Sequence, residues 1–150
     1  MNVRRIKKKK PKKNGFTLVE LMVVIVIIGL LGTVVVINVL PSLDRANDTK
    51  ARTDIATLEQ ALEMYRLDNM AYPAPGDGLQ ALVSAPAGLA QPQRYRQGGY
   101  IRNLPNDPWG RPYQYQVPGR DGSSFDVYSY GADGAAGGEG ENADIYGGEG

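Results

Sequence analysis

Gly15-Phe16-Thr17-Leu18-Val19-Glu20, followed by LMVVIVIIGLLGTVVVI at residues 21–37, decides how the rest of the chain is read. The run from 21 to 37 carries no charge and no proline. At about 1.5 Å per residue, a helix of roughly 20 such residues crosses the hydrocarbon core of a bilayer. The sequence therefore predicts a membrane-spanning helix over residues 16–40. Thr17 and Glu20 have the spacing of a capping pair, with the carboxylate at the positive end of the helix dipole. Charge in a bilayer is costly, roughly 2.5–3.5 kcal/mol at the midplane on insertion scales, and is usually kept for function. Glu20 therefore has a structural reading and a functional one.

Charge is distributed unevenly. Residues 1–15 hold eight bases and no acid, whereas the remainder holds nine bases and sixteen acids. A basic block beside an apolar span stays on the cytoplasmic side, which sends the acidic part across. A lysine run is also the mark of a nucleic-acid arm, but this one directly abuts the span, so no nucleic-acid partner is expected. A secretory signal has a shorter apolar core, about 7–15 residues, closed by a small-residue cleavage site. Here the run is longer and no A-x-A pattern closes it, so the span is retained. The basic block, Gly15, Phe16 and Glu20 together resemble the leader and N-terminal helix of type IV pilins and type II secretion pseudopilins. That resemblance implies a cytoplasmic leader, 1–15, cut by a prepilin peptidase between Gly15 and Phe16, with Phe16 then methylated. It also implies that Glu20 meets the new α-amine of a neighbouring subunit during filament assembly.

The processed chain would have 135 residues, enough for one small domain on a stalk. It contains no cysteine, although the exported part would meet an oxidising compartment, and no histidine. No G-x-S-x-G, S-x-x-K or paired-carboxylate pattern stands out, so an enzyme is not expected.

Between residues 41 and 72 the pattern becomes amphipathic. Ile55, Leu58, Leu62 and Tyr65 recur at helical spacing, with Asp54, Glu59, Glu63 and Arg66 elsewhere on the wheel. A free-standing coiled coil needs this register for more heptads than are present. Pro41 cannot donate its hydrogen bond and is expected to disturb the helix. Residues 73–150 form the globular region. A short helix is predicted at 79–83, and two strands at 113–117 and 125–130 joined by Pro118-Gly119-Arg120-Asp121-Gly122. Leu104-Pro105-Asn106-Asp107-Pro108-Trp109-Gly110-Arg111-Pro112-Tyr113 prescribes turns. Its tryptophan is read as cover for the end of the core, with carbohydrate binding as the alternative.

The last twenty residues contain eight glycines and five acids. Composition favours a disordered acidic tail. Against that, glycines let main-chain oxygens converge with carboxylates, and hard cations take six to eight such oxygens. The Leu-Pro-x-Asp-Pro-Trp-Gly run and Gly131-Ala132-Asp133-Gly134 through Ala143-Asp144-Ile145 resemble the major pseudopilins of type II secretion. Relatives in that family commonly continue with Gly-Asn-Trp, where this chain has Tyr146-Gly147-Gly148.

The resemblance covers Gly15 to Ile145. It implies an α+β, type IV pilin-like fold: a long N-terminal helix packed on a small antiparallel sheet with a C-terminal calcium loop. Ca²⁺ would be held by Asp133, Glu141 and Asp144 and by main-chain oxygens of Tyr130 and Ala132, with Asp126 and Glu139 in reserve. Assembly would use Glu20 and an intersubunit bridge from Arg102 to Glu59, with Glu63 as second choice. The implied partners are other copies in a helical homopolymer, minor pseudopilins and an inner-membrane assembly platform. The implied place is the bacterial inner membrane, single-pass, with the C-terminal domain in the periplasm. The implied function is a periplasmic pseudopilus that drives folded proteins across the outer membrane. Two rivals remain: a surface type IV pilin, which often carries a C-terminal cysteine pair, and a monomeric membrane-tethered binding module.

Overall fold

The computed structural model describes residues 15–148; the basic block at 1–14 and the last two residues lie outside it. One helix, α1, runs Leu18–Asn69 and includes Pro41. By contact density the chain divides at the Leu40–Pro41 peptide into two units.

In the first unit, the large apolar side chains from Leu18 to Leu40 are all exposed. An all-round apolar helix in a soluble fold would be buried. This one is long and apolar enough to cross a membrane. Pro41 lies within α1, so the apolar and amphipathic stretches form the one long helix expected. An interior proline costs about 3 kcal/mol through one lost hydrogen bond and a ring clash. Strong helical patterns on both sides outweigh that local loss.

In the second unit, one stripe of α1 is buried: Ala51, Ile55, Leu58, Ala61, Leu62 and Tyr65. The three- and four-residue spacing puts these side chains on a single face. They pack with Leu79, Ala81, Leu82, Tyr113, Val127 and Ile145 into one core. The helix ends where Met70 adopts φ 66° and donates its N–H to the Arg66 carbonyl at 2.7 Å. A left-handed residue after the last turn stops a helix in this way. The short helix predicted at 79–83 is a 3₁₀ helix, Gly78–Leu82. Leu79, Ala81 and Leu82 are buried by it.

The sheet has three antiparallel strands in sequence order: β1 (Gln114–Gln116), β2 (Asp126–Ser129) and β3 (Ile145–Tyr146). Tyr115 faces Val127 across the first pair, and Ser129 faces Ile145 across the second. Only two strands were predicted. The third escaped because two residues are too few to show alternation, and because it closes what composition reads as a tail. Trp109 lies half-buried against the core, as expected of a cover. Truncating a fully buried core leucine typically costs 2–5 kcal/mol. Leu58→Ala is therefore expected to lower unfolding free energy by about 2–5 kcal/mol, read as a shift in denaturant midpoint.

Candidate functional site

At the start of α1 the capping pair is formed in both directions. The Thr17 N–H donates to Glu20 Oε2 at 2.9 Å, and the Glu20 N–H donates to Thr17 Oγ1 at 3.3 Å. These bonds satisfy two donors that the first helical turn leaves without partners. Phe16 is 83 % exposed. A side chain placed on Gly15 would meet nothing within 4 Å, so packing does not explain that glycine.

Further along α1, the two candidate assembly acids differ sharply. Glu63 accepts from the Tyr72 hydroxyl at 2.6 Å and from Arg66 Nε at 3.2 Å. The tyrosine bond, opposed by burial and aided by Arg66, holds its carboxyl below the ordinary range. Glu59 is half-buried and makes no hydrogen bond or ion pair among the described residues. Burial, and then the charge of Asp126, push its carboxyl up. Its Oε1 occupies the place a side chain at Gly147 would need. Arg102 is exposed and has no ion pair among the described residues either. Within one chain, the structure does not bring Arg102 to either acid.

The Asp-Pro-Trp-Gly turn is held from inside. Asp107 is 4 % exposed, and its Oδ1 accepts the N–H groups of Trp109 at 3.1 Å and Arg111 at 2.7 Å. Its Oδ2 accepts the Ser129 hydroxyl at 2.7 Å, which ties the turn to β2. The main chain closes the turn as well, through the Asp107 N–H to the Arg111 carbonyl at 2.7 Å. Hydrogen bonds to a charged group contribute about 1.5–3 kcal/mol each. The turn thus delivers the Arg111 side chain to the C-terminal loop, where Nη2 donates to the carbonyls of Gly131 at 2.6 Å and Ala132 at 2.7 Å. Sequence reasoning missed both residues. Asp107 was legible as an Asx-type turn former before proline, but nothing local marks Arg111, whose partners lie twenty residues away.

The C-terminal loop is ordered and not a solvated tail. Ala132 N–H donates to the Glu141 carbonyl at 2.9 Å, closing its neck. Gly131 has φ 70°, and a side chain there would lie 2.5 Å from the Ala143 carbonyl. Only glycine combines that conformation with that approach. Among the described residues, no three acidic side chains gather into one metal-binding group. Asp133 Oδ1 accepts the Ala135 N–H at 3.0 Å, while Glu139 and Glu141 are exposed. Tyr130 is half-buried beside Tyr128, their rings edge to face. The Ala132 carbonyl already serves Arg111. Asp126 stands apart: it accepts the Arg120 N–H at 2.7 Å and the Ser123 hydroxyl at 2.9 Å, organising the β1–β2 turn. One feature does fit a hard cation. Asp144 Oδ2 accepts the Gly137 N–H at 3.0 Å, but Oδ1 is buried without a hydrogen-bond partner. A carboxylate oxygen in that state calls for a positive neighbour.

A model of the type II secretion system protein G family matches residues 38–148, and a model of the prokaryotic N-terminal methylation motif matches residues 10–36. The chain belongs to the type II secretion system protein G family. The type II secretion system core protein G of Vibrio cholerae is 54% identical over 92% of this chain and 93% of its own length. The protein of the same name from Pseudomonas aeruginosa is 51% identical over 89% and 94%. The crystal structure of the major pseudopilin from the type 2 secretion system of enterohaemorrhagic Escherichia coli superposes with a TM-score of 0.63 at 46% identity, over 73% of this chain and 92% of that one. These relatives are named as core proteins of a secretion system, not as enzymes.

In this pseudopilin the departure after Ile145 has a visible consequence. Tyr146 stacks on Tyr128 with centroids 4.7 Å apart, and the Arg120 guanidinium lies 3.1 Å from its ring centroid. Gly147 then donates its N–H to the Val127 carbonyl at 3.2 Å and lies against the Glu59 side chain. The raised Glu59 carboxyl means that the folded form binds this proton more tightly than the unfolded form. Its contribution to stability is complete below the ordinary glutamate value, about 4.3. That contribution is lost as pH rises through the higher folded-state value. Glu59→Gln is therefore expected to melt above the wild type at pH 7, with the advantage closing as pH falls towards 4; paired thermal melts across that range test it.

Proposed function

We propose that this chain is the major pseudopilin of its secretion system, polymerising into a periplasmic pseudopilus that drives folded proteins across the outer membrane. The observation that carries this reading is the first half of α1. Its large apolar side chains are exposed on every side, and most of it lies within the match to the methylation motif. Such a helix has two uses: to cross the inner membrane before assembly and to pack against copies of itself afterwards. Gly29 and Gly32 leave room for close helix approach, since a side chain at either meets nothing within 4 Å. In this reading prepilin peptidase cuts at Gly15–Phe16, and the Phe16 amine is methylated. Glu20 then exchanges its capping bond to Thr17 for a bond to the amine of a neighbouring subunit. Minor pseudopilins and the inner-membrane platform start and feed the fibre.

Outside the membrane, the proposed contact joins Arg102 to Glu59 of another copy. Each lacks an ionic partner among the described residues, whereas Glu63 is paired with Arg66 and also accepts from the Tyr72 hydroxyl. A cation brought to Glu59 would remove the penalty of its half-buried charge. An exposed pair is worth only about 0–1 kcal/mol, but a filament repeats it at every subunit. Glu59→Arg and Arg102→Glu singly are expected to reduce fibres seen by electron microscopy and to reduce exoprotein release. The double reversal should restore both in part. Double mutants that assemble no better than the singles would sink the pairing.

We also propose a calcium ion at the C-terminal loop, held by Asp144 together with Asp133, Glu141 and main-chain oxygens including that of Tyr130. The ion supplies the positive charge that Asp144 Oδ1 lacks, clipping a domain that has no disulfide. Binding to the folded form alone stabilises by about 2.7 kcal/mol at a hundredfold excess over Kd. Chelation is expected to lower the melting temperature, and Asp144→Ala should melt where the chelated wild type does. A curve indifferent to calcium would refute the site.

A further inference from the structure

The carbonyls of Gly131 and Ala132 turn towards the same point, and Arg111 Nη2 sits there with bonds of 2.6 and 2.7 Å. The guanidinium is fitted to this place. A side chain on Gly134, which has φ 69°, would lie 2.7 Å from both the central carbon and Nε of Arg111. The Arg111 main chain is fixed by Asp107, and Asp107 is fixed by Ser129, whose hydroxyl also accepts the Gly131 N–H at 3.2 Å. Both ends of the contact thus hang from one buried carboxylate. Asp144 Oδ1, the oxygen without a partner, lies at the other end of the loop sequence.

We infer that Arg111 is a positioning residue, a built-in cation that forms the 131–132 rim of the loop whether or not calcium is present, and that it leaves calcium to close the 133–144 part. The inference rests on the calcium reading only for its second half. It divides the work of one expected ion between two cations. The rim next to β2 is held by a covalently attached charge, whereas the outer turns depend on the divalent ion. A subunit would then leave the membrane assembly line with its sheet complete, and calcium would add the final closure.

Limited proteolysis of the full chain in detergent micelles separates the two parts. Chymotrypsin reports on Tyr130, and a glutamate-specific protease reports on Glu139 and Glu141. For the wild type in EGTA, cleavage is expected at Glu139 and Glu141 while Tyr130 stays protected. For Arg111→Met in EGTA, Tyr130 cleavage should rise about tenfold or more, the change expected from losing one charge-assisted bond when cleavage follows the open population. Adding calcium chloride to that variant should protect Glu139 and Glu141 but leave Tyr130 open. Arg111→Lys keeps the charge without the planar fork and should fall between the two. Three outcomes overturn the assignment: Tyr130 equally resistant in Arg111→Met, calcium restoring its protection there, or simultaneous cleavage at Tyr72 and Tyr95, the mark of global unfolding. If instead the Glu139 and Glu141 cuts ignore calcium in the wild type, the calcium reading fails while the Tyr130 comparison still decides the role of Arg111.

Discussion

Everything in the second unit depends on the buried stripe of α1 from Ala51 to Tyr65. The strands have three, four and two residues, too few to be stable as a sheet in water. There is no cysteine to staple them. Each strand contributes to the domain only because the helix offers an apolar surface. Val127 and Ile145 point at that surface, while Ser129 points its hydroxyl at Asp107. Remove the stripe and the turns have nothing to fold onto. Local turn chemistry sets where the chain reverses, and burial against α1 sets whether the result persists.

A second constraint is polar. Asp107 is a carboxylate inside the unit, a costly place for a charge unless both its oxygens are hydrogen-bonded. Three hydrogen bonds to its two oxygens meet that demand. Because they reach the tryptophan turn, Arg111 and β2 at once, one side chain coordinates segments that lie far apart in sequence. The C-terminal loop is attached to this hub through Ser129 and Arg111. The loop's order therefore comes from the core outwards, and not from its own composition, which is that of a disordered segment.

That difference explains what was legible in the sequence. The long helix, its apolar half and its amphipathic half follow from periodicity, a property of consecutive residues. The capping pair at Thr17 and Glu20 is equally local. The pilin-like resemblance came from motifs, and the family comparison agrees with it. What escaped reading is non-local. Strand β3 exists because Ile145 has room beside Ser129. Arg111 matters because two carbonyls twenty residues later face it. Asp126 was placed in reserve for the loop on its charge alone, although Arg120 and Ser123 already use both its oxygens.

Glu59 carries a cost within its own subunit that the proposed contact would relieve. Neutral side chains of the same size would sit better beneath Gly147, where burial and the nearby Asp126 both oppose a charge. Asp126 cannot be relieved by protonation, because the Arg120 N–H, the Ser123 hydroxyl and the Arg120 guanidinium outweigh its burial and keep it ionised. The charge of Asp126 therefore acts on Glu59, while Arg120 is drawn to Asp126 and the Tyr146 ring. The net local field is one that favours an incoming cation. An isolated subunit bears that field as lost stability, and a subunit in the proposed contact with Arg102 of a neighbour would not. Coupling of this kind needs no conformational change. It would make the proposed contact worth more than an ordinary exposed pair, because forming it would also remove a penalty already present in the monomer.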